Sequence, residues 1–402
     1  MKTIIQTIFQ RYWHPYTALI LAGLLSAIYF GLTATVWAVT GEFTRFGGHI
    51  LQFIGVDVSD WAYFQLVHLE GTTWSRPDGW IVWGMFIGAL IMVLYSNSFK
   101  IRLPQQKRRY VQGLVGGIIA GFGARLALGC NLAAFFTGVP QFSIHSWIFI
   151  VATGIGTFFG AKVTKMRWWK GKPSLMRGAA APSKVNKHVV QPYVGGVITI
   201  AYAALVIYFF ASGKTLLGFG ALFGLAFGVL IERGQICFTS AFRDLWLVGR
   251  SLMAKAIIVG MAISSILTII VIVLYDIPPI TKIAALSTFV GGVLFGLGIV
   301  MASSCETGMM YRLMEGQILY LTVFIGNIVG ATFLAYAWDH LGIYNLLVKS
   351  GSPINLLDSI GPIGAIAATL AMLGTLYGLT VYWEKRYQRN MQMKRGAKTH
   401  AS

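Results

Sequence analysis

Gly116–Cys130 reads GGIIAGFGARLALGC, and Gly291–Cys305 repeats the pattern 175 residues later as GGVLFGLGIVMASSC. Six positions are identical without a gap: two adjacent glycines, two further glycines, one alanine and the final cysteine. Glycines alone would be a weak signal, because small residues let transmembrane helices of any kind pack closely. The shared cysteine is a stronger signal, since the chain of 402 residues has only three. We therefore interpret the two stretches as copies of one repeat.

The composition places both copies in a membrane. Hydrophobic residues make up 56% of the chain and charged residues 11%, with a mean hydropathy of +0.68. Soluble domains carry about 25% charged residues. Apolar runs of about 18 to 22 residues recur along the chain, and each can cross a hydrocarbon core roughly 30 Å thick. The composition predicts an all-α polytopic membrane protein and excludes disordered, collagen-like and disulfide-stapled classes.

Ten membrane spans are predicted, near 16–38, 79–96, 110–130, 146–164, 193–212, 216–233, 253–275, 284–303, 318–338 and 362–383. The repeated stretch falls in the third and the eighth span, so the repeat unit has five spans. The units are predicted to cover 1–213 and 214–402. Their copies of the stretch run in opposite directions, which predicts two inverted-topology repeats (5+5). Such repeats in transporters place the substrate site near the midplane of the membrane.

Basic residues indicate which side of the membrane each connection occupies. Twenty-one of the 32 Lys and Arg residues lie in 1–15, 97–110, 161–192 and 385–402, and none of these stretches contains Asp or Glu. Short cytoplasmic loops collect Lys and Arg in this way. We expect both termini in the cytoplasm of a bacterium, with 161–192 as a solvated linker before the fifth span and the acidic stretch 41–78 outside. The net charge of +19 then needs no nucleic-acid partner.

Each cysteine lies in backbone unlike that of a simple spanning helix. Small or polar residues adjoin the cysteines: Asn131 after Cys130, Gln235 before Cys237, and Ser304 and Glu306 on either side of Cys305. Polar, glycine-broken backbone at membrane depth is tolerated only where it is buried in protein or lines a wet cavity. The pattern therefore predicts re-entrant or broken helices that converge on a central pathway.

Several functions of the cysteines were considered. A single membrane cysteine commonly packs as a small hydrophobic residue. Disulfides and a metal site are not expected, because the count is odd, no CxxC is present and no four ligands are suitably spaced. A membrane thiol oxidoreductase would need a vicinal or CxxC pair, and a scaffold would not need equivalent thiols in two inverted halves. We predict a transporter rather than an enzyme, with no cofactor and no ATP-binding motif.

Charged residues near the cysteines are expected to support the pathway. Arg125 lies within a span, where it is expected to snorkel, to pair with a helix-end carbonyl, or to serve as a fixed positive charge for an anion. Arg312 is expected to pair with Glu315, three residues later on a helix. Asp244 is expected to balance Arg243 or another nearby cation.

Three motifs resemble those of a known family. Glu232–Asp244 reads ERGQICFTSAFRD and resembles the Arg-Gly-x-x-Cys-Phe-x-x-x-Phe-Arg-Asp signature of the YeeE/YedE membrane family. The stretches Gly296–Gly316 and Gly121–Asn131 resemble two further motifs of that family. The likeness extends over essentially the whole chain, and the YedE branch is the nearer one.

The resemblance implies an inner-membrane transporter for a small sulfur oxyanion such as thiosulfate, handed inward along thiols that fall on Cys130, Cys237 and Cys305. The implied partners are that anion, the lipid bilayer and a cytoplasmic sulfur-transfer protein of the TusA/YedF type. Because the YedE branch is associated with selenium metabolism, a selenium species or another sulfur compound is the alternative substrate. The sequence departs from the thiosulfate importers in two ways. The order of its halves is exchanged, and the usual Gly-Gly-Cys becomes Leu128-Gly129-Cys130 and Ser303-Ser304-Cys305, the latter followed by Glu306 where a small residue is common.

The candidate pathway residues are Cys130, Cys237, Cys305, Arg125, Asn131, Ser304, Glu306 and Gln235. The candidate supporting residues are Gly121, Gly123, Gly129, Gly296, Gly298, Arg243 and Arg312. Bringing a dianion into a negative cytoplasm costs about 2.3 kcal/mol per charge per 100 mV. We therefore expect downhill entry drained by a cytoplasmic partner, with Glu306 left open as a proton-carrying group or a helix-end cap.

Overall fold

A computed structural model of the chain describes residues 9–170 and 190–399, with backbone only for 394–399. The predicted linker 161–192 lies mostly outside the described residues. Its first part completes one long helix and forms a short helix, and its last part begins the next long helix.

Helices form most of the described structure. In chain order they are α1 (Pro15–Thr33), α2 (Thr40–Phe53), α3 (Ala62–Leu66), α4 (Pro77–Tyr95), α5 (Arg108–Leu126), α6 (Ile144–Val163), α7 (Arg167–Lys170), α8 (Val190–Ala211), α9 (Thr215–Arg233), α10 (Phe238–Val248), α11 (Leu252–Tyr275), α12 (Leu286–Met301), α13 (Glu306–Met314), α14 (Leu319–His340) and α15 (Leu356–Thr399). Segments of π-helix lie at Asn131–Phe136 and Tyr344–Val348, and a 3-10 turn at Val139–Gln141. Strands β1 (Ile283–Ala284) and β2 (Ser352–Pro353) pair antiparallel.

Ten segments of the described chain are long and apolar enough to cross a membrane. They are Pro15–Thr33, Pro77–Tyr95, Arg108–Phe136, Ile144–Val163, Val190–Ala211, Thr215–Val248, Leu252–Tyr275, Leu286–Met314, Leu319–His340 and Leu356–Met393. The predicted all-α polytopic class and ten spans are confirmed, with ends that shift by several residues. The last span is kinked at Gly361 and Pro362, and the predicted span began at that proline.

The stretch between the first two spans is more structured than a loop. It contains α2, whose Glu42, Phe43 and Arg45 are buried. Arg45 pairs with Glu42 and Asp78, and Arg76 also pairs with Glu42. Because these charges neutralise one another, α2 can pack against the spanning helices without leaving a charge isolated.

The repeated glycine stretches meet in the centre of the fold. Gly116 of α5 contacts Ala302, and Gly123 contacts Phe295 of α12. In the same interface Gly298 contacts Ala120, and Gly291 contacts Ala127. Positions that rise along α5 meet positions that fall along α12, so the two helices cross antiparallel. Close approach of the two backbones leaves no room for a Cβ at these glycines.

The remaining long helices pack around this central pair. Helix α5 also packs on α14, and α12 also packs on α6. Outside them α4 packs on α9 and α1 packs on α11. Helices α8 and α15 occupy matching peripheral places, α8 against α4 and α15 against α11. Each of these contacts thus has a counterpart after the first five spans and the last five are exchanged.

Candidate functional site

The two copies of the repeat break at the same position. After α5 ends, Leu128 adopts φ +54° and Cys130 is extended at φ −123°. After α12 ends, Ser303 adopts φ +64° and Cys305 is extended at φ −90°. Leu128 and Ser303 are 175 residues apart, and both adopt the left-handed region. This conformation is uncommon for residues other than glycine, so its presence in both copies marks a shared break. Each cysteine then begins a new helical segment, as the predicted broken helices require.

Cys237 and Cys305 form a close pair of thiols. Cys237 precedes α10, Cys305 precedes α13, and their sulfur atoms lie 3.8 Å apart. The backbone N–H of Phe238 donates to Cys305 Sγ at 3.3 Å, and the Thr307 hydroxyl lies 3.1 Å from the same sulfur. Both thiols are buried. The pair is therefore a buried site with several hydrogen-bonding groups directed at one sulfur.

Small residues close the space around this pair. A Cβ placed on Gly308 would lie 2.7 Å from Cys237 Sγ and 2.5 Å from Ser304 Oγ. Ser304 Oγ donates to the Cys305 carbonyl at 3.1 Å. Ser304 thus lies beside the thiols, and Gly308 must lack a side chain for the three elements to meet.

Polar residues surround the thiol pair, but with partners other than those expected. Arg312 donates to the Ser303 carbonyl at 3.0 Å and to the Tyr320 hydroxyl at 2.9 Å. Glu315 instead accepts a bond from Gln235 at 3.1 Å. The expected Arg312–Glu315 pair is therefore wrong. The reason is that the helix break carries the Ser303 carbonyl, left free at the end of α12, within reach of the guanidinium. Arg312 is close enough for its charge to act on Cys237.

Cys130 lies apart from the other two thiols and has its own surroundings. The backbone N–H groups of Leu132 and Ala133 and the Thr40 hydroxyl are within hydrogen-bonding reach of its thiol. Arg125 Nη1 donates to the Thr40 hydroxyl at 3.5 Å, and its guanidinium lies 5.3 Å from the centre of the Tyr63 ring. Arg125 is therefore buried against protein near Cys130 and does not snorkel away from it.

A lysine that the sequence did not single out approaches Cys130 from the connection before α12. Lys282 Nζ donates to the Ala133 carbonyl at 3.2 Å and passes close to Gly129. Burial lowers the pKa of the Lys282 ammonium to about 8; the positive charge of Arg125 acts in the same direction, and Cys130 acts in the opposite one. The surroundings of Cys130 thus contain two cationic side chains.

Glu306 carries a buried carboxyl with one unused oxygen. Asn327 Nδ2 donates to Glu306 Oε1 at 3.3 Å, while Oε2 has no hydrogen-bond partner. Glu306 is 2% exposed, and its charge reaches the thiols of Cys130, Cys237 and Cys305. It is therefore the candidate residue that connects the two cysteine sites.

Asn131 holds the equivalent position after Cys130. Both polar atoms of its amide are buried without a partner, as is the hydroxyl of Thr153. Thr153 contacts Gly296 as Asn327 contacts Gly121, so the two pairs occupy corresponding places. Buried polar groups normally have partners. Buried polar atoms without hydrogen-bond partners in both halves indicate a core that can bind a polar ligand or water.

The other predicted residues have packing roles or lie elsewhere. Four of the predicted glycines hold helices in contact, namely Gly121, Gly123, Gly296 and Gly298. The fifth, Gly129, packs against Ala134. Arg243 pairs with Asp244 at 2.9 Å, which confirms that expectation. This pair is about 30% exposed, and within the described part of the chain it makes no hydrogen bond or ion pair with the thiols. Arg243 therefore does not join the candidate site.

Sequence reasoning missed Thr40 and Lys282. The signal for Thr40 was a faint second match, in which Phe30-Gly31 followed by Thr40 resembles Phe227-Gly228 followed by Cys237. Lys282 could have been found as a lysine in a short connection on the side away from the basic loops. Both residues join the site only through packing of distant segments.

All three thiols are closed off from solvent, with exposed fractions of 0% for Cys130, 1% for Cys237 and 2% for Cys305. Ten spans, three of them broken at a cysteine beside buried polar groups, define a polytopic membrane protein of the transporter class. The chain belongs to the sulphur transport family, whose model matches residues 1–159 and 233–402.

Curated relatives agree with this assignment. The probable transporter YedE of Salmonella typhimurium is 47% identical over 390 residues, which is 96% of each chain. The probable transporter YedE of Escherichia coli is 46% identical over 385 residues, or 94% of each chain. The thiosulfate transporter TsuA of Spirochaeta thermophila is 36% identical over 82 residues, which cover 20% of this chain and 25% of that protein. The predicted family is confirmed.

Proposed function

We propose that this protein carries a small sulfur oxyanion of the thiosulfate type across a bacterial inner membrane, along a path marked by Cys130, Cys237 and Cys305. The observation that carries the proposal is the Cys237–Cys305 pair, two buried thiols 3.8 Å apart. The cation of Arg312 acts on this pair, and the backbone N–H of Phe238 is directed at it.

Thiols suit this class of substrate. Thiosulfate carries a large, polarizable terminal sulfur beside three harder oxygens. A neutral S–H is a weak donor, so it can hold such an anion loosely and release it. Passage through successive sites requires binding that is favourable enough for entry and weak enough for exit. Two separate thiol sites, one at Cys130 and one at the pair, meet that requirement.

The packing supports two inverted repeats of five spans, 1–213 and 214–402. Helices α5 and α12 cross antiparallel, and exchanging the two repeats converts each of their glycine contacts into another observed contact. The Gly116–Ala302 contact becomes Gly291–Ala127, for example. The same exchange relates Cys130 to Cys305. An anion path at the interface of the repeats would then pass between these two cysteines.

The orientation follows from the basic connections. The stretches 97–110 and 161–192 are rich in Lys and Arg, which favours the cytoplasmic side for them and for both termini. Cys130 then lies toward the outside, and the Cys237–Cys305 pair lies toward the cytoplasm. Imported anion would be consumed there by a sulfur-transfer protein of the TusA/YedF type. A selenium species linked to selenium metabolism is the second candidate substrate.

The test is uptake of radiolabelled thiosulfate into proteoliposomes that contain only this protein. Cys130→Ala, Cys237→Ala and Cys305→Ala should each lower the initial rate roughly tenfold, because a donor directed at the anion is lost. Serine at the same positions should be milder, since a hydroxyl still donates. Normal uptake by all three alanine variants would refute the thiol path.

The substrate is identified in the same vesicles by competition. Unlabelled thiosulfate, sulfite, selenite and selenosulfate are added in turn, and the anion that inhibits at the lowest concentration is the preferred one. Inhibition by selenosulfate or selenite at concentrations well below those of thiosulfate would favour the selenium substrate.

A further inference from the structure

We propose that Glu306 is a proton-binding site that couples entry of the anion to entry of a proton. The inference rests on the proposed anion path and departs from the downhill entry that the sequence alone favoured. It starts from a carboxyl that is 2% exposed, has one oxygen without a partner and acts on all three thiols.

The position of Glu306 makes its charge decisive for an anion. A dianion that passes from Cys130 to the Cys237–Cys305 pair enters the electrostatic range of the carboxyl. Like charges repel strongly where water is excluded and the effective dielectric constant is low. The anion can therefore occupy this region when the carboxyl is protonated and is disfavoured when it is ionised. Anion and proton bind together, which is the requirement for co-transport.

The two oxygens of Glu306 divide the structural and functional roles. Oε1 accepts a bond from Asn327 and helps to fix the start of α13. Oε2 has no partner, although buried polar atoms rarely lack one. This contact between α13 and α14 uses one oxygen, so the second remains free to take and release a proton.

The other half of the protein provides an internal comparison. Asn131 occupies the position equivalent to Glu306 and is a neutral amide with a side chain one methylene shorter. Its side chain is also buried without partners. A polar residue at this position therefore needs no charge to fit the fold. The carboxyl in the second half adds a titratable group that packing does not demand.

Few other titratable groups face Glu306. The elements packed against α13 are α4, α9, α10 and α14. Helix α4 has no titratable residue between Gly79 and Leu94. The charged pairs Glu232–Arg233 and Arg243–Asp244 on α9 and α10 neutralise themselves. Helix α14 contributes Asn327 to Glu306, and its Tyr320 instead binds Arg312 of α13. The thiols of Cys130, Cys237 and Cys305 remain, and all three belong to the proposed path.

The first experiment uses wild-type protein in proteoliposomes with the membrane potential clamped at zero and a pH one unit lower outside. One proton carried per anion predicts that radiolabelled thiosulfate accumulates about tenfold inside, because one pH unit corresponds to a tenfold activity ratio. A pH dye inside the vesicles should report acidification on thiosulfate addition. Uptake that stops at an equal concentration, without acidification, would overturn the coupling. Absence of any uptake would instead refute the proposed function.

The second experiment assigns the proton site with Glu306→Gln, which resembles the protonated carboxyl. This variant should still exchange labelled for unlabelled thiosulfate at equal pH, and it should lose acidification and accumulation. Glu70→Gln, an exposed carboxyl in the stretch between the first two spans, is the matched control and should behave as wild type.

Acidification that survives in Glu306→Gln, or loss of exchange in a folded variant, would overturn the assignment. If the Gln variant does not fold, Glu306→Asp takes its place. It should keep the coupling with a shifted pH midpoint of exchange, and an unchanged pH profile would count against Glu306.

Discussion

The sulfur atoms of Cys237 and Cys305 lie 3.8 Å apart although the two residues are 68 positions apart in the chain. Each cysteine follows the end of a spanning helix and precedes a shorter helix. The contact therefore joins two helix breaks, from α9–α10 and α12–α13. It is also a thiol pair of the kind that the sequence, lacking a CxxC motif, did not predict.

The first prediction concerns this pair. Oxidation of purified protein with copper phenanthroline should join Cys237 and Cys305 in a disulfide, with two protons and two electrons passing to the oxidant. The sulfurs need to approach by less than 2 Å to reach bonding distance of about 2.05 Å. Labelling of denatured protein with a maleimide polymer should fall from three reactive thiols to one. Thiosulfate uptake should stop and return after dithiothreitol.

Cys130→Ser provides the control for that experiment, because its two remaining thiols should both disappear on oxidation. If the wild-type protein still has three reactive thiols after the full copper phenanthroline treatment, the two sulfurs of the pair do not meet.

The second prediction concerns Thr40, whose hydroxyl lies within reach of the Cys130 thiol. Thr40→Val keeps the shape of the side chain and removes the hydroxyl, so uptake should fall about fivefold for the loss of one hydrogen bond near 1 kcal/mol. Thr40→Cys should retain uptake, because Cys237 stands at the corresponding position of the other half. Initial rates in proteoliposomes measure both.

Thr44→Val is the matched control. Thr44 lies one turn further along α2, and its hydroxyl donates to the Thr40 carbonyl at 2.9 Å. Its substitution should leave uptake within twofold of wild type. Equal losses in Thr40→Val and Thr44→Val would indicate damage to α2 rather than a role for the Thr40 hydroxyl.

The third prediction is a pH dependence from Lys282, where burial lowers the pKa to about 8. Below that pH the ammonium is charged and attracts an anion toward Cys130; as the pH rises through about 8 the charge is lost. Exchange of labelled thiosulfate at equal pH on both sides should therefore decline above pH 8. Lys282→Gln should be slower than wild type at pH 7 and should lose much of this decline.

Lys282→Arg separates the lysine from other groups that titrate in alkali, because an arginine keeps its charge throughout the range. This variant should decline less than wild type above pH 8, and the decline that remains is the part due to Glu306. Lys349→Gln, an exposed residue in the connection after α14, should follow the wild-type profile. A decline that is the same in Lys282→Arg and wild type would assign the whole pH dependence to another group, such as Glu306 or a thiol.

The fourth prediction concerns orientation. A fluorescent reporter fused at Ser402 or inserted at Lys172 should be active in the cytoplasm, and alkaline phosphatase at either place should be inactive. An insertion at Ser59, in the acidic stretch between the first two spans, should give the reverse result. Phosphatase activity at Lys172 or Ser402 would invert the proposed topology and with it the order of the cysteines.

The sequence by itself determined the parts of this protein that depend on local patterns. Apolar length is a property of each segment, so the ten spans followed from hydropathy within several residues. The repeat Gly116–Cys130 and Gly291–Cys305 identified the central helices, because close packing of two backbones requires small side chains along one face. The motifs around the cysteines were specific enough to predict the family.

Only the tertiary structure decided which of these residues meet. It joined Cys237 to Cys305, assigned Arg312 to the Ser303 carbonyl rather than to Glu315, and brought Thr40 and Lys282 to Cys130. Each of these contacts spans a helix break or links segments far apart in the chain. A sequence pattern describes the face that one helix presents, whereas the distance between two such faces depends on how all ten spans pack together.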